Sequence, residues 1–247
     1  VTQRLLIVNA DDFGRSPSIN RGVIEAHERG IVTSASLMVG WPASEDAAAY
    51  ARANSGLSLG LHLDIGEWAY RDGGWVQLYG VEGDLQAEVA RQLARFRELA
   101  GRDPTHLDSH QHVHREEPLR SIMLGLAREL RVPLREFSEH VRYCGDFFGQ
   151  AAKGRPYPEG ITVDRLLRIV ASLPPGVTEL GCHPGLAGDL EYGYRDERPR
   201  EVEALCDARV PLALGSEHVE LRSFASLPNR FIPESARVEQ GSTLRDA

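Results

Sequence analysis

The chain has 247 residues, 42% apolar and 26% charged, which suits a sizeable core, and no apolar run approaches the roughly 18 residues of a membrane span. With 28 basic against 36 acidic side chains the formal charge is −8, which argues against a general nucleic-acid binder. Three widely spaced cysteines, Cys144, Cys182 and Cys206, make neither a disulfide framework nor a zinc motif. Together with an N-terminus, VTQRLLIVNADD, that shows no export signal, they lead us to expect a cytoplasmic protein.

Apolar runs and helical stripes alternate along the chain. Arg4 to Ala10 predicts a buried parallel strand, and Ser16-Pro17 then opens a helix with Ile19, Val23 and Ala26 at helical spacing. Ile31 to Val39 predicts the second strand, Pro42 and Ser44 open a helix ending near Asn54, and Leu57 to Ile65 predicts the third strand. Gly66 to Gly83 reads as a loop rich in glycine and aromatics. An amphipathic helix follows, with Leu85, Val89, Leu93 and Phe96 on one stripe. His106 to Val113 predicts a fourth strand, a helix buries Leu119, Met123, Leu126 and Leu130, and Val132 to Glu136 predicts a short fifth strand. A second loop, His140 to Gly160, precedes a helix capped by Thr162. Val177 to His183 predicts a sixth strand, Arg200 to Ala208 a helix, and Val210 to Gly215 a seventh strand. Such alternation implies parallel βα units, in a doubly wound sheet or a barrel. Residues able to do chemistry end at least four strands, which favours a barrel spanning residues 1–228, with 229–247 as a polar C-terminal tail.

Four segments carry that chemistry. Asp11-Asp12 ends the first strand, where α/β folds place their sites; adjacent carboxylates resist being ionised together, and a metal on one relieves the conflict. Ordinary turn chemistry is the alternative. His62 lies toward the end of the third strand with Asp64 on its face, as a ligand or as a core histidine bonded to a carbonyl. In HLDSHQHVH, strand periodicity puts His106, Asp108, His110, His112 and His114 on one face, a costly arrangement inside a protein unless a metal compensates it; a solvated edge strand is the alternative, although the helix starting near Glu116 suggests an internal βα unit. His183 ends the sixth strand before Pro184, as a site residue or a turn histidine. Its neighbour Cys182 reads as a small buried residue, not a thiol nucleophile. Arg135 would hold a carboxylate or lie on the surface. Trp68, Tyr70, Trp75 and Tyr79 in one loop, with Tyr192 and Tyr194 in another, would stack on sugar rings or pin their loops.

The motifs LLIVNADDFG (5–14), GIVTSASLMV (30–39), LGLHL (59–63), THLDSHQHVH (105–114) and GCHPG (181–185), in that order, resemble the YdjC-like carbohydrate deacetylases, including chitooligosaccharide deacetylases. The resemblance implies an α/β fold, a distorted, seven-stranded (β/α) barrel related to polysaccharide deacetylases. It implies one divalent metal ion held by Asp12, His62 and His110; the resemblance suggests magnesium, whereas the softness of two imidazoles and a carboxylate favours zinc, cobalt, iron or manganese. It also implies Asp11 as catalytic base and His183 as acid, in a hydrolase removing the N-acetyl group from an acetylated amino sugar or oligosaccharide. Arg135, Trp75 and His112 are candidate substrate-binding residues. Partners expected are an N-acetylated sugar and at most a second copy in a homodimer, with no nucleic acid. Two other readings stay open: a metal-dependent phosphoesterase on a similar barrel, and a non-catalytic sugar- or metal-binding barrel.

Overall fold

The computed structural model describes residues 3–189 and 194–227. In chain order these form β1 (Arg4–Phe13), α1 (Pro17–Glu28), β2 (Ser34–Leu37), α2 (Ser44–Ala53), β3 (Ser58–Leu63), β4 (Gly66–Arg71), β5 (Gly74–Gly80), α3 (Leu85–Ala100) and β6 (Leu107–Ser109). A 3₁₀ segment (His110–Arg115) leads to α4 (Leu119–Leu130), β7 (Val141–Cys144), β8 (Gln150–Ala151), β9 (Arg155–Pro156), α5 (Val163–Ser172), β10 (Gly176–Cys182), α6 (Arg198–Leu205), α7 (Arg209–Ser216) and β11 (Val219–Leu221). Local chemistry sets the helix starts. Ser16, Asp84 and Thr162 each accept a first-turn N–H, and Gly101 ends α3 in the left-handed region.

The main sheet is parallel, in the order β6-β3-β2-β1-β10-β7, with β11 beside the first residues of β1. It curls into an incomplete barrel whose open side lies between β6 and β7. Arg135, just beyond the single bridge from Leu134 to Leu107, reaches Asp108 on one edge of the sheet at 2.8 Å and Glu179 on β10 at 2.7 Å. Helices pack outside, α1 on α6, α2 on α3 and α5 on α7. None of the described helices is long and apolar enough to cross a membrane.

Strand periodicity divides the core in two. On β1, Leu6, Val8 and Ala10 face the helices, within the large cluster that also holds Leu59, Leu61, Leu180 and Cys182. Leu5 and Ile7 face the barrel interior, where they meet Val141, Val177, Phe224 and Leu227. The burial of Cys182, with its thiol pushed well above the usual range by desolvation, fits a packing role.

The sheet has the seven strands expected, but not the same seven. The predicted strand Val132–Glu136 contributes one bridge at Leu134. Val210–Gly215 is helical: Val210 and Leu214, four residues apart, are buried while Leu212 between them is 73% exposed, a helix pattern that a short apolar run conceals. In their place stand β7 and β11, each too short to show periodicity. The predicted loop 66–83 contains the β4–β5 hairpin, which turns through Asp72-Gly73. The polar tail 229–247 and Tyr192 lie outside the described residues.

Candidate metal centre and active-site cleft

The interior face of each strand changes character along its length. On β1 it runs Leu5, Ile7, Asn9, Asp11; on β3 it runs Ser58, Gly60, His62; on β10 it runs Val177, Glu179, Gly181. The ionisable residues among them are Asp11 and His62, in the carboxyl-terminal halves of their strands, and Glu179, at the middle of its own. Alternation alone would send Asp12 outward with Ala10. Its backbone is left-handed instead, at φ 63°, and the β1–β2 register shifts between Ala10 and Phe13. Both carboxylates therefore line the same cleft.

Asp12, His62 and His110 offer ligand atoms within 4.8 Å of one another. Asp12 Oδ1 lies 3.5 Å from His62 Nε2 and 3.2 Å from His110 Nδ1. Asp12 Oδ1, His62 Nε2 and His110 Nε2 are buried atoms with no hydrogen-bond partner. His62 is fixed from behind, its Nδ1 2.8 Å from Asp108 Oδ1, so its Nε2 points at Asp12. Burial works against charge on His62, but Asp108 and Asp12 prevail and raise it to about 10. Burial likewise works against charge on Asp12, but Arg198 and the two imidazoles hold it well below the usual carboxylate range. Asp12 Oδ1 and His62 Nε2 are thus left facing the His110 ring with no hydrogen bond of their own. One carboxylate and two imidazoles fit a divalent cation there, with coordination positions left over.

Asp11 sits beside this centre. Arg135 grips it through two bonds of 2.6 and 2.7 Å and also contacts Asp108 and Glu179. Burial pushes Asp11 up, yet Arg135 outweighs it and keeps the carboxyl ionised. Arg135 itself is buried, packed against the Tyr143 ring and turned onto these carboxylates. Across the cleft His183 Nε2 lies 3.7 Å from Asp11 Oδ2. Burial lowers His183 to about 4, against Asp11 and Asp12.

The motif HLDSHQHVH does not continue as a strand. β6 stops at Ser109, and Gln111 and His112 take φ values of 51° and 55°. His106 and Asp108 keep the shared interior face. His110 turns to the metal centre, and His112 lines the cleft within 3.4 Å of the Tyr143 hydroxyl. His114 is buried with Nδ1 on Ser109 Oγ and Nε2 on the Arg135 carbonyl, leaving no lone pair for an ion. His112, His114 and Glu136 are therefore a cluster by distance only.

The cleft encloses about 710 Å³. The β4–β5 hairpin makes one wall with Trp68, Tyr70 and Trp75, the last 64% exposed. Phe148 and Tyr194, stacked at 4.7 Å, make the opposite wall. Tyr79 turns away and bonds Asp64 at 3.0 Å. Three functional neighbours escaped the sequence reading. Glu67 pairs with Arg15 4.0 Å from His110, while Arg198 bonds Asp12 and Glu201 accepts the His183 N–H. The last two had a legible signal: Arg198, Glu201, Val202 and Leu205 share one helical stripe, so two charged residues occupy inward positions.

The sequence profile of YdjC-like proteins matches residues 5–215. The chain is 32% identical to a carbohydrate deacetylase of Brevibacillus brevis, over 90% of this chain and 99% of that one. It is 32% identical to a chitooligosaccharide deacetylase of Serratia marcescens, over 91% of this chain and all of that one. Among solved structures, a candidate cellobiose-phosphate cleavage protein of Enterococcus faecalis V583 superposes with a TM-score of 0.73 at 26% identity, covering 91% and 98% of the two chains. A polysaccharide deacetylase from Bacillus cereus, at TM-score 0.51 and 13% identity over 90% and 92%, shares the fold.

Proposed function

The chain belongs to the YdjC-like family, and from that premise we propose that it is a metal-dependent hydrolase removing the N-acetyl group from an acetylated amino sugar or oligosaccharide. The observation that carries this reading is the convergence of Asp12 Oδ1, His62 Nε2 and the His110 ring, the first two atoms buried without a hydrogen-bond partner, beside a carboxylate–imidazole pair, Asp11 and His183. A divalent cation bound there, magnesium or zinc, would supply a Lewis acid that eases deprotonation of water and stabilises the oxyanion of the tetrahedral intermediate.

Asp12, His62 and His110 would hold the ion, and Asp108 fixes the His62 ring. Asp11, kept ionised by Arg135, takes the proton of the attacking water. His183 is neutral at rest, so it cannot begin as a donor. Asp11 Oδ2 lies 3.7 Å from His183 Nε2, which takes the proton over from Asp11 and passes it to the departing amine as the C–N bond breaks. The water oxygen ends in acetate; one of its protons ends on the sugar nitrogen, and the other is released as the acetic acid ionises. The aromatic walls receive the sugar rings, with Trp75 and His112 at the substrate, while Arg135 acts through Asp11.

The test is acetate release from a panel of N-acetylglucosamine-containing substrates, with and without chelator. We expect release that chelation abolishes and added zinc or magnesium restores. Phosphate release in its place would establish the phosphoesterase reading, and sugar binding with no turnover under any metal the non-catalytic one.

A further inference from the structure

β10 ends at Cys182, so the peptide groups of His183 have left the sheet and Pro184 prevents its resumption. Buried peptide groups need partners, and here both come from one helix. The His183 N–H donates to Glu201 Oε2 at 2.5 Å, and its carbonyl accepts from Arg198 Nη1 at 3.2 Å. Arg198 and Glu201 stand three residues apart on α6, hence on one face, and both are buried. Arg198 Nη2 also donates to Asp12 Oδ2, which leaves Oδ1 to face His62 and His110. The other oxygen of Glu201 accepts the Tyr194 hydroxyl, which in turn accepts the Gly149 N–H at 2.6 Å. From the opposite side, α1 presses on the same loop. A Cβ on Gly22 would fall 2.3 Å from Gly185 Cα, and Leu186 N–H bonds Ser18 O at 2.9 Å.

We propose that Arg198 and Glu201 are positioning residues, a two-point clamp on the His183 peptide that sets its distance from the metal ligand Asp12. The proposal rests on the deacetylase reading for the role of His183, but the clamp itself is defined by geometry. Burying a guanidinium and a carboxyl group on an inward helix face confers little stability that apolar side chains would not match. Holding a ligand's spare oxygen and a neighbouring peptide with one planar guanidinium is a task for arginine and not for lysine.

The experiment compares Arg198→Lys, Glu201→Gln and the exposed control Glu203→Gln in the full chain. Zinc affinity is read by calorimetry, His183 amide exchange by NMR, and kcat and KM from acetate release. Arg198→Lys should weaken zinc binding by about 10–100-fold, as expected for a group that orients a ligand. Glu201→Gln should leave zinc affinity alone, speed exchange of the His183 amide by about tenfold or more, and lower kcat with KM unchanged. Glu203→Gln should match the parent in all three. Parental zinc affinity in Arg198→Lys overturns the clamp, as does parental amide exchange in Glu201→Gln. Thermal melts confirm folding; if a variant unfolds, Arg198→Gln or Glu201→Asp takes its place. Should the parent release no acetate, the deacetylase reading fails, while zinc affinity and amide exchange still decide the clamp.

Discussion

The two ends of the barrel treat buried polar groups in opposite ways. At the amino end, His106 stacks on Phe224 at 3.8 Å and has both ring nitrogens engaged, by Thr105 and Ser36. Ser34 and Ser58 accept the N–H groups of Phe224 and Ala225. Gly60 has no Cβ because one would sit 2.4 Å from the His106 ring. At the carboxyl end, Asp12, His62, His110, His112 and His183 each keep a buried polar atom without a hydrogen-bond partner. A satisfied histidine closes the base, whereas His62, His110, His112 and His183, each with one unpartnered ring nitrogen, line the cleft. Burial lowers His106 to about 4, so it remains neutral, whereas Asp108 and Asp12 draw His62 toward its charged form. Histidine content alone does not mark a site; the state of the second ring nitrogen does.

This contrast can be broken by substitution. The largest effect belongs to the mouth: Asp11→Asn should lower turnover by about 10²–10⁴-fold while retaining metal, and His110→Ala should lose both, measured as acetate release and metal content. Equal metal loss in the two would merge the roles assigned to Asp11 and His110. At the base, Phe224→Ala should reduce stability by about 3–5 kcal/mol in denaturant melts and leave zinc affinity unchanged. A large drop in affinity would show that the ends are not independent.

A finer test uses pH. Burial raises Glu179 to about 7, against Arg135, and Glu201 to about 8, against its hydrogen bonds. Both values exceed those of the unfolded chain, so the folded protein binds protons that the unfolded chain has released. Their contribution to stability is complete below the unfolded carboxylate range and is lost as pH rises through 7 and 8. The thermal midpoint should therefore decline over that interval, and Glu201→Gln should flatten part of the decline. The smallest effect is expected at the rim, where Trp75→Ala should raise KM by less than about tenfold with kcat unchanged.

Much of the site was legible because its residue types are rare at strand ends and the parallel fold gathers those ends. Asp11, Asp12, His62, His110 and His183 are brought together although no two strands supply adjacent sequence. What escaped depended on backbone twists or on long-range pairing. Nothing in HLDSHQHVH announces that Gln111 and His112 turn left-handed and end the alternation. Arg135 could be read as a carboxylate holder or as a surface residue, since its three carboxylate neighbours come from three distant strands. The Asp72-Gly73 turn was a hairpin signal inside a segment read as loop. Val210–Leu214 shows the reverse error, five residues being too few to separate helix from strand without knowing that Leu212 is exposed.

The guanidinium of Arg135 joins Asp11, Asp108 and Glu179, so carboxylates from near the first, middle and last thirds of the chain meet at one cation. A growing polypeptide therefore cannot complete the surroundings of Asp11 early. Until β10 has left the ribosome and docked, Asp11 lacks the full set of charges around it, and hydrolytic competence arrives only with the nearly whole barrel. Activity in such a protein reports on the docking of β10, and a fragment cut before Glu179 should be silent.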